Sequence, residues 1–140
     1  MPATHNSILA LDVGDKRVGV AVASVVARLP RPLVTVMRGK DCLKELSDII
    51  DKEDAGEIVV GLPRGLDGQP TAQTEATESF VAELKKSIDL PVHLQDEAVT
   101  SRQAEAELNA RGQSYEKGDI DALAATYILE DFLNGYNGTK

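Results

Sequence analysis

Short apolar runs separated by polar turns recur along the chain and predict an alternation of strands and helices. Residues 8–11 form a continuous apolar run, which is typical of a strand covered on both faces. Valines alternate with small residues over 18–22 and predict a neighbouring strand that forms a hairpin with the first. Residues 33–37 predict a third strand, preceded by a proline-containing turn over 28–32.

Helical spacing of apolar residues follows, interrupted by two further strands. Asp41 and Thr71 can each cap a helix, because their side chains accept hydrogen bonds from the first amides. The apolar positions assigned to these two helices are Leu43, Leu46, Ile49, Ile50, Ala76, Phe80, Val81, Leu84 and Ile88. The further strands are predicted at 57–61 and 90–95, the second ending in the acidic pair Asp96 and Glu97.

Two helices are predicted in the last third of the chain. Thr100 and Gln103 form a capping-box pattern that opens a helix running to Ala110. Residues 118–121 open the last helix, in which helical spacing places Asp121, Ala125 and Ile128 on one stripe. A hairpin followed by strand–helix–strand crossovers predicts one α/β domain over residues 1–140, with a mixed sheet and helices on both faces. Strands one, four and five are expected to be parallel.

Composition narrows the class of protein. Apolar residues make up 42% of the chain and charged residues 27%, which is ordinary for a soluble domain, and no apolar run approaches a membrane span. The start of the chain shows no secretory signal, and a single cysteine, Cys42, fits a reducing cytoplasm and a packing role. With two histidines and one cysteine, any metal would be held by oxygen ligands, which favours Mg²⁺ or Mn²⁺.

Charge is unevenly distributed. The net charge of −8 argues against a nucleic-acid binder, because phosphate contacts need lysine and arginine. However, the first 40 residues hold six basic and two acidic residues, against nine and 21 in the remaining 100. A basic patch near the first hairpin and two merely solvated strand ends both fit this distribution.

Three acidic residues stand at comparable positions: Asp12 ends the first strand, Glu97 lies just past the fifth, and Asp121 is on the last helix. Three carboxylates converging without histidine or cysteine describe a magnesium or manganese site for phosphoryl transfer. Two plainer interpretations stay open: Asp12 only caps its turn by bonding nearby amides, or Asp119 or Asp121 only favours the positive end of the helix dipole at the N-terminus.

Other polar residues are weaker candidates. The loop over 63–70 contains two glycines and follows a strand end, so it is either a mobile flap that carries Arg64 to a phosphate or a plain connector. Arg102 faces either phosphate or water. His93 alternates with apolar neighbours and is interpreted as a structural histidine.

Four segments in this order resemble one known family: ALDVGDKRVGVAVA, IVVGLPRGLDGQP, LPVHLQDEAVTSRQAEAEL and DIDALAATYILEDFL. They are similar to the pre-16S rRNA nuclease family, also called the Holliday-junction-resolvase-like or YqgF/RuvX family, over residues 6–134. Each motif alone is weak, and the four in order are highly specific. The resemblance implies a ribonuclease H-like fold with a five-stranded mixed sheet, a bacterial cytoplasmic setting and a divalent metal.

The family's three acidic residues fall on Asp12, Glu97 and Asp121, which the resemblance implies as catalytic residues and metal ligands. It further implies processing of the 5′ end of precursor 16S rRNA. Lys16, Arg17, Arg64 and Arg102 are candidates for phosphate contacts. Ala98 stands where family members often have arginine, which puts the strength of nucleic-acid binding in question.

Three rival functions remain at this point. One is a junction resolvase that acts on branched DNA with the same metal site and needs two linked active sites. Another is a nucleotide-binding protein of the actin or sugar-kinase class, although such proteins usually need two related domains. The third is a non-catalytic interaction module. The sequence leaves the preferred ion and the oligomeric state open.

Overall fold

The computed structural model describes residues 6–64, 68–97 and 117–135. They form a five-stranded mixed sheet in the order β3-β2-β1-β4-β5, with three helices. The elements, in chain order, are β1 (Ser7–Val13), β2 (Arg17–Ser24), β3 (Arg31–Met37), α1 (Cys42–Glu53), β4 (Ala55–Pro63), α2 (Ala72–Ser87), β5 (Val92–Glu97) and α3 (Lys117–Gly135). No helix in these ranges is both long and apolar enough to cross a lipid bilayer.

The central strand β1 is buried on both faces, which explains its continuous apolar run. Leu9, Leu11 and Val13 pack on the face covered by α1 and α2. Ile8 and Ala10 pack on the opposite face with residues of α3. The predicted arrangement of helices on both faces of the sheet is therefore confirmed.

The strand directions bring one set of strand ends to a single edge of the sheet. β1 pairs antiparallel with β2 and parallel with β4, and β4 pairs parallel with β5, as predicted for strands one, four and five. The carboxyl ends of β1, β4 and β5 therefore share an edge, called here the acidic edge. β1 runs one residue beyond Asp12 to Val13, and β5 includes both Asp96 and Glu97.

The prediction of a turn over 28–32 is partly wrong, because Arg31 and Pro32 belong to β3. β3 is the outermost strand, so the missing amide of a proline interrupts no second ladder. The register with β2 shifts between Val20 and Ala21, which leaves Leu33 as an extra residue next to the proline.

One of the two predicted helix caps is confirmed, and the other is wrong. Thr71 caps α2 as predicted, in a reciprocal capping box with Thr74. Asp41 occupies the N-cap position of α1, but its side chain makes no capping hydrogen bond. Ala76 was expected in the core and is exposed, since the buried face of α2 runs instead through Thr74, Thr77, Phe80, Val81 and Leu84.

Two residues expected to be structural have structural partners. The thiol of Cys42 is buried in the core beneath α1. Nε2 of His93 lies 2.8 Å from Oε1 of Glu57, and its ring is 5.2 Å from the ring of Phe132. The helix predicted over 100–110, with Arg102 and the preceding Ala98, lies outside the described residues.

The contact of α3 with β4 gives a packing test at Gly61. A Cβ atom there would overlap Cδ1 of Ile128, so Gly61→Ala should destabilise the protein by about 1–3 kcal/mol through overpacking. Ile128→Val removes that atom and should reduce the penalty in the double variant, as measured by urea unfolding. Gly135→Ala, where nothing lies within 4 Å of the added carbon, is the control. An equal penalty in both backgrounds would show that Ile128 does not limit the space.

Candidate active site

Glycine 19 allows the main chain of α3 to lie directly against the sheet. A Cβ atom on Gly19 would overlap the main-chain carbonyl of Asp121 and would lie 2.8 Å from the amide nitrogen of Ala122. No other residue type fits this position without moving backbone. The small buried residues Ala124 and Ala125 maintain the close approach along the helix.

This contact places two carboxylates side by side. Asp12 of β1 pairs directly with Gly19, and it lies on the α3 face of the sheet because it follows Ala10 by two residues. Burial, with a further contribution from the negative charge of Asp121, raises the pKa of Asp12 from an ordinary 3.8 to about 7. The turn that follows Asp12 is closed by a backbone hydrogen bond from the amide of Gly14 to the carbonyl of Arg17.

Arg17 holds the second carboxylate in place. Its Nε donates to Oδ2 of Asp121 at 2.7 Å, and the two side chains are only 27% and 21% exposed. This bond joins the first residue of β2 to the first turns of α3, 104 positions away in the chain. The carboxylate of Asp121 is therefore oriented toward β2 by a specific ion pair. This role is more than that of a favourable charge at a helix N-terminus.

Two long side chains fix the backbone that follows Asp12. Nε2 of Gln73 donates to the carbonyl of Val13 at 3.0 Å, and Nη1 of Arg38 donates to the carbonyl of Gly14 at 2.8 Å. Neither of these residues, nor Gly19, is among the site residues that the sequence predicts. Gly19 could have been recognised, because a glycine inside a strand pattern indicates that another segment approaches the strand closely. The sequence around Gln73 and Arg38 gives no comparable signal.

The third predicted carboxylate lies on the same face and edge. His93 contacts Phe132 of α3, so strand alternation places Glu97 on the α3 side as well. It is the last residue of β5, two strands from β1 and so about 10 Å across the sheet. Among the described residues, no group of three acidic, histidine or cysteine side chains is arranged to hold a metal ion. The structure thus brings Asp12 and Asp121 together, with Glu97 farther along the edge.

The chemistry of this edge fits a hard divalent cation. The donors are carboxylate oxygens, which suit Mg²⁺ or Mn²⁺, and the described part of the chain offers only His93 and Cys42 as softer ligands, both in structural contacts. The raised pKa of Asp12 shows that its charge is poorly compensated by the protein itself. A cation beside Asp12 and Asp121 would remove that cost.

The candidate phosphate contacts differ in their surroundings. Arg17 is bound to Asp121, and Nε of Arg64 lies 2.9 Å from Oδ1 of Asp96. The amide of Arg64 also donates to the carbonyl of Glu97, which ties the start of the 63–70 loop to β5. Lys16 is exposed in the β1–β2 turn. The central residues of the loop and Arg102 lie outside the described ranges, so the flap stays a prediction.

A five-stranded mixed sheet of this order, with an acidic pair at one edge, defines the class of ribonuclease H-like proteins. Two solved structures of resolvases share the fold. The RuvC protein of T. thermophilus, in complex with a Holliday junction substrate, matches 95% of this chain and 97% of its own with a TM-score of 0.51 and 15% identity. The fowlpox virus resolvase with Holliday junction DNA matches 92% and 97%, with a TM-score of 0.53 and 8% identity.

The chain belongs to the RuvX family, whose model, described as Holliday junction resolvase, matches residues 6–135. Curated relatives carry the name "Putative pre-16S rRNA nuclease". The protein of Maridesulfovibrio salexigens is 39% identical over 130 residues, covering 90% of this chain and 96% of the relative. That of Koribacter versatilis is 37% identical over 140 residues, covering 94% and 88%. The family resemblance seen in the sequence is confirmed.

Gly19→Ala tests whether the helix contact creates the charge coupling. Backbone atoms cannot yield as a side chain does, so the start of α3 must move away from β2, with a stability loss of about 1–3 kcal/mol. Because Asp121 then lies farther from Asp12, the pKa of Asp12 should fall, as followed by carboxyl ¹³C NMR titration. An unchanged Asp12 titration in a folded variant would show that the coupling does not depend on this approach.

The raised pKa of Asp12 predicts a specific pH dependence of stability in the presence of a chelator. Between pH 4 and 7 the folded state binds the Asp12 proton and the unfolded chain does not, so this carboxyl lowers stability as pH rises. The shift corresponds to about 4 kcal/mol above pH 7, at about 1.4 kcal/mol per pKa unit. Asp12→Asn should therefore gain stability relative to the parent as pH rises through this range, up to that amount.

Urea unfolding at each pH measures the difference between Asp12→Asn and the parent. Asp15→Asn is the matched control, because it removes the same charge from an exposed position in the adjoining turn. Its effect should stay within about 0.5 kcal/mol at every pH. A loss of about 1 kcal/mol in Asp12→Asn that does not vary with pH would instead support a turn-capping role.

Proposed function

We propose that this protein is a divalent-cation-dependent nuclease that processes the 5′ end of precursor 16S rRNA, with Asp12, Asp121 and Glu97 as its catalytic carboxylates. The observation that carries the proposal is the Asp12–Asp121 pair. Asp12 and Asp121 lie side by side at the acidic edge, and a bound cation would stabilise the ionised form of Asp12, whose pKa is near 7. Mg²⁺ and Mn²⁺ both suit such oxygen ligands.

The chain's own residues have separate tasks in this mechanism. Asp12 and Asp121 would hold the cation, and Glu97 would add a carboxylate donor. When bound, the cation supplies Lewis-acid stabilisation of the charge that develops on the phosphate and on the leaving 3′ oxygen. Arg17 fixes the orientation of Asp121 through its Oδ2 atom.

Positioning of Asp12 depends on the backbone around it. Gln73 and Arg38 hold the carbonyls of Val13 and Gly14, so the strand end that carries Asp12 cannot rearrange freely. Preorganised ligands matter because a misplacement of about 1 Å can cost about a hundredfold in rate. These two residues act through Asp12 and are positioning residues.

The relatives' names support RNA as the substrate. Two full-length relatives above 35% identity are named for precursor 16S rRNA. Cleavage of branched DNA is the second candidate, favoured by the description of the family model. A four-way junction is two-fold symmetric, so that activity requires two linked active sites, whereas 5′ processing of an RNA requires one.

The cellular compartment that we propose for the enzyme is the cytoplasm. The buried free thiol of Cys42 fits a reducing compartment, and we place the protein in the cytoplasm with the ribosome precursors. Residues 1–140 would act as one nuclease domain.

A cleavage assay tests the proposal with a precursor 16S rRNA fragment that carries its 5′ extension, beside a four-way DNA junction, with Mg²⁺, Mn²⁺ or chelator. The parent should shorten the RNA only with a divalent cation. Asp12→Asn should lose several orders of magnitude in rate, because both cation binding and positioning depend on that ligand.

Thermal melts with and without Mg²⁺ accompany the assay. The cation should raise the melting temperature of the parent more than that of Asp12→Asn, since it binds the folded state through Asp12. Asp15→Asn should behave as the parent in both measurements. Preferential cleavage of the junction would transfer the assignment to the second candidate, and a fully active Asp12→Asn protein would refute the metal site.

A further inference from the structure

The basic residues near the acidic edge fall into two groups. Arg17 and Arg64 are engaged with Asp121 and Asp96. A second group, Lys16, Arg38 and Lys40, is exposed and forms no ion pair within the described part of the chain. We call this second group the basic shoulder.

Hydrogen bonds and a ring contact hold the basic shoulder together as one surface. The amide of Arg38 donates to the carbonyl of Lys16 at 2.8 Å, next to the bond from its guanidinium to Gly14. The same guanidinium lies 4.9 Å from the centre of the Phe80 ring. The β1–β2 turn and the segment between β3 and α1, which carry Lys16 and Lys40, are therefore fixed against each other at the acidic edge.

The position of the basic shoulder suits an approaching polyanion. It flanks the acidic pair on the β2–β3 side, whereas the β5 side presents Asp96 and Glu97. α1 starts at Cys42, two residues after Lys40, and the side chain of Asp41 makes no capping hydrogen bond to it. Residues 41–140 carry a formal charge of −12, with nine basic and 21 acidic residues, so most of the chain repels phosphate.

We propose that the phosphate backbone of the substrate crosses the basic shoulder on its way to the Asp12–Asp121 pair. This inference rests on the proposed function and deepens it, because it assigns substrate contact to Lys40 beside Lys16, while Arg38 holds the two segments together. Arg17 then serves mainly to orient Asp121. Asp41, exposed next to Lys40, opposes the bound phosphates.

The test measures binding and not cleavage. A fluorescein-labelled RNA stem-loop with a 5′ single-stranded extension, and the same sequence as DNA, are titrated with the full chain in EDTA at 50–250 mM KCl. Lys16→Ala and Lys40→Ala should each reduce the slope of log K against log salt by about 0.7–0.9, with binding weaker by about five- to eightfold at 0.1 M salt. Asp41→Asn should tighten binding.

Lys52→Ala is the matched control. Lys52 is an exposed lysine in the last turn of α1, about 15 Å along the helix from its first residue, Cys42, and its removal should leave the slope unchanged. If Lys16→Ala and Lys40→Ala weaken binding of the RNA and of the DNA equally, the lysines contact the phosphate backbone. If the parent binds but neither lysine alters the slope, or if Lys52→Ala has the same effect as Lys40→Ala, the basic shoulder is refuted while the nuclease proposal stands. If the parent binds neither probe in EDTA, the basic shoulder is refuted, and the cleavage assay with Mg²⁺ or Mn²⁺ decides the nuclease proposal separately.

Discussion

Helix α3 comes so close to the sheet at Gly19 that no side chain fits between the two main chains. Apolar residues of the helix and the strands then close a compact layer on that side: Ala125, Ile128, Leu129 and Leu133 with Ile8, Ala10, Ala21, Ala23 and Val59. The main-chain contact at Gly19 determines how close α3 lies to the sheet. Because packed atoms leave little free space, this contact also fixes the position of Asp121 relative to β1. A larger residue at position 19 would separate the charged groups as well as loosen the core.

The close approach of α3 to the sheet makes the acidic edge electrostatically unfavourable. Asp12 loses hydration in a partly buried site and faces a second negative charge, which together account for its raised pKa. Arg17 offsets the charge of Asp121 and leaves that of Asp12 uncompensated. Burial of the surrounding apolar side chains, at about 25 cal/mol per Å², sustains such a local cost. Functional sites commonly violate the local rules of stability in this way.

The order of the strands along the chain and the parallel direction of β1, β4 and β5 could be predicted because they depend on local pattern: continuous apolar runs for β1 and β4, alternation for β2, and helices between the parallel strands. The misses have local causes too, since an edge strand tolerates Pro32 and the buried face of α2 includes threonines as well as apolar residues. The long-range contacts were beyond pattern analysis. Gln73 meets Val13 across 60 positions, and Arg38 meets Gly14 across 24. These contacts form only in the assembled fold, so no periodic pattern in the sequence predicts them.

The outer strand β3 has a consequence for how copies of the chain meet one another. An exposed strand edge is a template on which another chain can extend the sheet, and Val34 and Met37 are exposed on β3. Pro32 presents no amide, and the extra residue Leu33 breaks the regular spacing of the ladder. The first half of this edge therefore resists uninterrupted strand pairing, which protects a chain crowded with identical copies from aggregating through its sheet.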